Sequence, residues 1–336
     1  MTKFKSITLY VLLLLAIIAT ALSATAWYWV EHPVAMDSER VDYVVESGSR
    51  PRSIAQLMNK SGIHINDDAF VALARLSGRD TLLKAGAYEA VRGDTPRTLL
   101  ERMANGDMTQ TQITLLEGWT YQRMRQALRE DPQVKQTLAA VSDEELLRRL
   151  GAPESSPEGL FYPDTYVFVP GSADFDILRR AYHAQQQLLN TAWNERDPQL
   201  PLKTPYEALI LASIIEKETG HSSDRDRVAG VFVNRLRLSM PLQTDPTVIY
   251  GMGDAYQGRI RKKDLTTDTP WNTYTRGGLP PTPIASAGRA ALLAALHPEA
   301  HKFLYFVSRG DGTSEFSENL LDHNRAVSKY ILGRHN

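Results

Sequence analysis

From Ser6 to Val30 the chain carries no charged residue, and that run constrains everything that follows it. As a helix it is long enough to cross a hydrocarbon layer of roughly 30 Å, which takes about 20 residues. Lys3 and Lys5 stand just before it, a placement that favours an amino terminus kept in the cytoplasm. Trp27, Tyr28 and Trp29 stand at its far end, where an interfacial aromatic belt belongs. The competing reading is a cleaved export signal, and Ala24-Thr25-Ala26 has the small residues of a cleavage site. The apolar run exceeds an ordinary signal core, which favours a retained anchor over residues 1–30. On either reading residues 31–336 are expected outside the cytoplasmic membrane, because no second apolar run of spanning length occurs.

The chain has 336 residues, 43% hydrophobic and 23% charged, enough for two or three modest cores. Basic and acidic side chains number 38 and 39, and there is no long basic run, which argues against a nucleic-acid partner held through phosphate neutralisation. Cysteine is absent. That excludes disulfides, thiolate zinc sites, iron–sulfur clusters and thiol nucleophiles, and it suits an oxidising compartment.

Residues 31–115 contain a near repeat. Gly48-Ser49-Arg50-Pro51-Arg52-Ser53-Ile54 with Met58 matches Gly93-Asp94-Thr95-Pro96-Arg97-Thr98-Leu99 with Met103, 45 residues on. Each copy follows a strand-like stretch, turns at Gly, and places Pro near the first helical turn, where its missing N–H does no harm. The second copy, Tyr88 through Thr95 running into a helix, resembles the opening of a LysM module. That resemblance implies binding of N-acetylated wall glycans; a purely structural module of βααβ type is the alternative.

Residues 112–200 are expected to be mainly helical. Leu116 to Thr120 reads as a turn before a helix at 121–129, and Ser142 to Glu145 as a capping box opening a short helix that Gly151 ends. A helix over 175–196 follows. Between them Glu158 to Tyr166 is aromatic and turn-rich, suited to stacking on sugars or, more commonly, to core packing.

Thr204-Pro205 opens a helix whose centre is almost wholly apolar and whose charges, Glu216, Lys217 and Glu218, fall in its last turn before Gly220. Residues two apart on a helix lie about 200° apart, so Glu216 and Glu218 face different places. Glu218 continues the stripe Leu211, Ile214 and Ile215; Glu216 falls on the Ala212–Ser213 side. A carboxyl extending an apolar stripe has its pKa raised by desolvation, the condition a general acid needs near neutrality. Downstream, Gln243 to Gly251 and Trp271 to Ile284 are Pro- and Gly-rich segments of the kind that line clefts.

The order of Ile214-Ile215-Glu216-Lys217-Glu218-Thr219, Val231 to Leu236, Leu242 to Thr247, Asn272-Thr273-Tyr274, Gly278 to Pro281 and Tyr305-Phe306-Val307 resembles the YceG-like family of endolytic murein transglycosylases over the whole chain. The resemblance implies cleavage of the MurNAc-β-1,4-GlcNAc bond within peptidoglycan strands, leaving 1,6-anhydro ends, with no metal or organic cofactor. It carries the single catalytic acid/base to Glu218, with Glu216 as the less favoured choice. By the chemistry of their loops, Gln243, Asp245, Asn272 and Tyr274 are candidate sugar contacts, although Asp245 and Asn272 also suit turn-capping. Peptidoglycan synthases are implied as partners.

Three rival readings stand beside this one. His297 and His301 are four apart but straddle Pro298 without an HExxH pattern. Ser213 and Lys217 suit a Ser/Lys peptidase, without its companion motifs. A non-catalytic, membrane-tethered glycan-binding scaffold would need only the LysM-like part. The expected fold is α+β: an anchor at 1–30, a LysM-like module at 31–115 and a larger, mainly helical catalytic region with long irregular loops at 116–336.

Overall fold

The structure is a computed structural model that describes residues 2–218 and 222–333, with side chains for 12–218 and 223–333. The chain divides into two compact units, residues 1–112 with 167–172, and residues 113–166 with 173–336.

The first unit starts with helix α1 (Thr2–Glu31), in which Leu12–Glu31 has a mean hydropathy of 1.8 and nothing buried, so it is long and apolar enough to cross a membrane. Strands β1 (Ala35–Met36) and β2 (Arg40–Val45), helix α2 (Pro51–Lys60), strand β3 (Ile63–His64), helix α3 (Asp67–Leu76), strand β4 (Gly86–Val91) and helix α4 (Pro96–Asn105) follow. Strand β2 alternates, burying Val41, Tyr43 and Val45 and exposing the residues between. It pairs antiparallel with β4, from Arg40 opposite Val91 to Val45 opposite Gly86. Short β1 and β3 form a second antiparallel pair.

The repeat is visible in three dimensions. Helices α2 and α4 both start at Pro, and each buries one stripe: Ile54, Ala55 and Met58 in α2, Leu99, Leu100 and Met103 in α4. The strands before them, one from each copy, are the partners β2 and β4, so the repeat builds one sheet over one core with Phe70 and Tyr88 inside it. Trp29 packs against this core, whereas Trp27 and Tyr28 are exposed. Of the three aromatics expected in an interfacial belt, Trp29 therefore belongs to the packing of the first unit.

Strand β5 (Thr111–Thr114) leads toward the second unit, where helices α5 (Tyr121–Glu130) and α6 (Asp143–Leu150) come next. Ser142 caps α6 by accepting from Glu145 N–H at 3.2 Å, and Gly151 ends it at φ 70°. The Glu145 carboxylate turns to Arg148 and Arg149, both at 2.7 Å, and not back to the cap. Strand β6 (Thr165–Phe168), which pairs with β5, precedes helix α7 (Asp174–Asn194).

Helix α8 (Pro205–Glu218) buries every residue from Ala208 to Ile215, as an all-apolar centre requires. It is packed by α7, by α9 (Arg225–Arg237), by α10 (Asp245–Met252) and, past the short α11 (Lys262–Thr266), by α12 (Arg289–Leu296). Small Ala291, Ala294 and Ala295 on α12 are buried, which lets the helices approach closely. The expected stop at Thr219-Gly220 lies outside the described residues. Strands β7 (Tyr305–Ser308) and β8 (Ser314–Ser317) form a hairpin against α13 (Leu320–Tyr330). The architecture is α+β, mostly helical toward the carboxyl end.

Candidate active site

Glu218 ends α8, and the apolar stripe beneath it carries its carboxyl into the protein. Its Oε1 accepts a hydrogen bond from the Thr244 hydroxyl. Thr244 is the residue before α10, and it is buried with Thr247 and Thr273. These three threonines bond one another: Thr244 N–H donates to Thr273 Oγ1 at 3.1 Å, Thr247 Oγ1 donates to the Thr244 carbonyl at 2.7 Å, and the Thr247 and Thr273 hydroxyls lie 2.9 Å apart. The Glu218 partner is thus held by a buried hydroxyl network, not by an exposed rotamer.

Beside it, Tyr274 donates its phenol to Asp245 Oδ1 at 2.6 Å. Gln243 is exposed and sits at φ 52°, a left-handed conformation that a side chain rarely adopts. Its N–H donates to the Thr273 carbonyl at 3.1 Å, which pins the turn. Arg235 grips the same turn from α9, donating to the Leu242 carbonyl at 2.9 Å and to Gln243 Oε1 at 3.3 Å.

Burial pushes the Glu218 carboxyl above the usual carboxylate range; the Thr244 hydroxyl opposes this and the Asp245 charge adds to it. Burial, and then the bond to Asp245, raise Tyr274 as well, so its phenol stays protonated as a donor. The result is a carboxyl whose proton is held more tightly than usual, beside a second carboxylate and a fixed phenol. Such a group can give a proton to a leaving oxygen and take one back.

The structure places Asp245 and Tyr274 beside the Glu218–Thr244 pair, with Gln243 in the turn just before Thr244. Asn272 does not join them. It is fully buried, its Nδ2 donates to the carbonyls of Asp264, Leu265 and Thr267 at 3.3, 3.1 and 2.7 Å, and its Oδ1 accepts from Tyr274 N–H at 2.9 Å. It braces the loop carrying Thr273 and Tyr274, with its amide already engaged by backbone. Glu216 faces another way, accepting from Gly288 N–H at 3.0 Å at the start of α12.

The Ser/Lys pairing is also absent. Ser213 is fully buried, donates to the Ile210 carbonyl at 2.7 Å and accepts from Ile284 N–H at 3.0 Å, while Lys217 donates to the Gly118 carbonyl at 3.2 Å. His301 spends both ring nitrogens on backbone, at Arg227 O and Phe303 N.

Two features were not anticipated. Thr244, Thr247 and Thr273 lie inside the loops singled out, but a threonine in a loop gives no sign that its hydroxyl is buried. The second is Glu158, 5% exposed, whose carboxyl accepts from Tyr121 N–H at 2.9 Å and from the Tyr250 phenol at 3.1 Å. Burial pushes it up to about 7. Of the aromatics that follow it, Phe161 is fully buried and stacks on Tyr121 at 5.5 Å, Tyr166 is buried, and Tyr162 is half-buried.

Residues 43–329 match the YceG-like family. An endolytic murein transglycosylase of Bacillus subtilis (strain 168) is 32% identical over 90% of this chain and 88% of its own length. Another, from Streptococcus pneumoniae serotype 2, is 26% identical over 92% of this chain and 62% of its own. A crystal structure of a yceG-like protein from Listeria monocytogenes superposes with a TM-score of 0.55 at 28% identity, covering 85% of this chain and 98% of that one. With the matched segment running from β2 to α13, and so across the Glu218 site, the chain belongs to the YceG-like family.

Proposed function

We propose that this chain is an endolytic lytic transglycosylase, cutting the MurNAc-β-1,4-GlcNAc bond within peptidoglycan strands. Its relatives' activity supports the reaction class, and the observation that carries the reading is the Glu218 carboxyl at the end of a buried helix, bonded to Thr244 with the Asp245–Tyr274 pair beside it. Glu218 gives its proton to the glycosidic oxygen as the C1–O bond breaks. The muramic C6 hydroxyl then closes on C1, and its proton returns to Glu218. No water is consumed, so one carboxyl serves as acid and then base, where a hydrolase needs two. Asp245 and Tyr274 offer an acceptor and a donor that suit orientation of the acetamido group, and Gln243 stands exposed beside them.

Helix α1 anchors the protein in a membrane as a single pass. We place the amino terminus in the cytoplasm and residues 31–336 on the outer face, where the tether keeps the site among nascent strands and raises its effective concentration there. The first unit serves as a LysM-like glycan-binding module in this reading, and peptidoglycan synthases are the expected neighbours.

Mass spectrometry of purified glycan strands treated with wild-type or Glu218→Gln protein tests the reaction. New ends lighter by one water than reducing ends, and absent with the variant, are expected. Reducing ends would mean hydrolysis, and cleavage undiminished in Glu218→Gln would remove the residue from its role.

A further inference from the structure

Within the second unit lies a cavity of about 950 Å³ that does not include Glu218. Its size is at the upper end of ordinary ligand sites, roughly 300–1,000 Å³. Ile249, Tyr250, Tyr256 and Trp271 supply apolar and aromatic lining, while Gln122, Arg129, Asp143 and Asp254 supply polar groups. This mixture of ring faces with hydrogen-bonding side chains matches a sugar, which presents C–H faces to aromatics and hydroxyls to polar neighbours.

The lining is built, not loose. Tyr250 and Trp271 meet edge to face with ring centres 5.3 Å apart. Trp271 Nε1–H donates to Thr282 Oγ1 at 2.9 Å, and Tyr250 is held by Glu158 at 3.1 Å. Glu158 is fixed in turn by Tyr121 N–H at 2.9 Å. Its successor Gly159 has φ 75° and no room for a side chain: a Cβ would meet Pro283 Cβ at 2.5 Å. A buried carboxyl in a backbone position reserved for this turn therefore sets the ring that lines the cavity.

Helix α10 links the cavity to Glu218. Its first residue, Asp245, bonds Tyr274 beside Glu218, and its second half puts Ile249 and Tyr250 into the cavity. Five residues of helix rise roughly 7.5 Å. An endolytic enzyme must hold strand on both sides of the bond it cuts, so a strand seated at Glu218 needs a place for the sugars beyond it.

We propose that this cavity is a strand subsite, holding N-acetylated saccharide units that flank the scissile bond against Tyr250, Tyr256 and Trp271. The proposal rests on the reading that Glu218 acts on glycan strands.

The test is calorimetric titration of purified, uncleaved glycan strands into full-length Glu218→Gln protein in detergent, alone and with Tyr256→Ala or Trp271→Leu added. Each second substitution is expected to weaken strand binding about tenfold, equivalent to about 1.4 kcal/mol. Tyr256 is only part-buried, at the end of a short turn, so Tyr256→Ala keeps the test alive if Trp271→Leu unfolds. Equal affinity in folded Tyr256→Ala protein overturns the subsite, as does failure of the Glu218→Gln protein to bind strands at all. Wild-type cleavage of the same strands separates the two ideas. Anhydro ends with unchanged binding in the cavity variants sink the subsite alone; weakened binding in those variants with reducing ends from wild type sinks the lyase and leaves the subsite standing, and no cleavage by wild type sinks both.

Discussion

Thr244 donates its hydroxyl to Glu218 from a position 26 residues further along the chain, and it does so with its own N–H and carbonyl tied into buried threonines. That bond favours the ionised form of Glu218 and so partly offsets the effect of burial. Thr244→Val removes the donor and lets the Glu218 pKa rise further. Because the first step needs protonated Glu218, activity is lost as pH rises through that pKa. The alkaline limb of kcat/KM against pH is therefore expected to move upward in Thr244→Val; an unmoved or lowered limb contradicts this coupling.

Asn272→Ala separates a brace from a sugar contact. The buried amide serves three backbone carbonyls of the neighbouring loop, and losing it removes those bonds and leaves a gap where the side chain stood. The expected cost is about 2 kcal/mol of stability by denaturant unfolding. KM for glycan, measured where the variant is still folded, should change little; a large rise in KM at unchanged stability would return Asn272 to the substrate.

Glu158 makes stability depend on pH. Its pKa is about 7 in the folded protein against 4.5 as the ordinary value. Between those pH values the unfolded chain has released a proton that the folded chain retains, so stability falls as pH rises through the window and levels off above it. The difference approaches about 3 kcal/mol. Glu218 adds a loss of the same sign, so the comparison must be wild type against Glu158→Gln, and the variant should show the shallower slope in urea melts at successive pH values.

The two repeat copies differ in their caps, and that difference is measurable. Thr95 accepts from Thr98 N–H at 3.2 Å and Thr98 Oγ1 accepts from Thr95 N–H at 2.8 Å, whereas Arg50 makes no side-chain cap. Thr95→Ala is expected to cost about 1 kcal/mol. Arg50→Ala should cost close to nothing in the same thermal melts.

How far the residues announced this arrangement depends on the range over which each decision is made. That Glu216 and Glu218 face different places is a local matter, since residues two apart on one helix diverge, and Glu218 meets Thr244 while Glu216 meets Gly288. Helices α2 and α4 are similarly local, each signalled by Pro and a periodic apolar stripe. Asn272 finds its amide partners, Asp264 to Thr267, in a segment whose path past it is decided by packing and is not displayed in the sequence. Thr244 and Glu158 were missed for the same reason: each becomes special only when a distant element closes over it. Trp29 had two plausible environments, and only the folded first unit shows which one it occupies.

The junction after α1 contains no slack. Arg97 pairs with Glu31 at 2.6 Å, Val34 N–H reaches the Asp94 carbonyl at 2.9 Å, and Trp29 is packed into the adjoining core. A flexible tether would let a head wander over a hemisphere, whereas this joint makes the first unit a flag fixed to its mast. A tilt or rotation of α1 would therefore be carried to the sheet of β2 and β4, where a slack linker would absorb it.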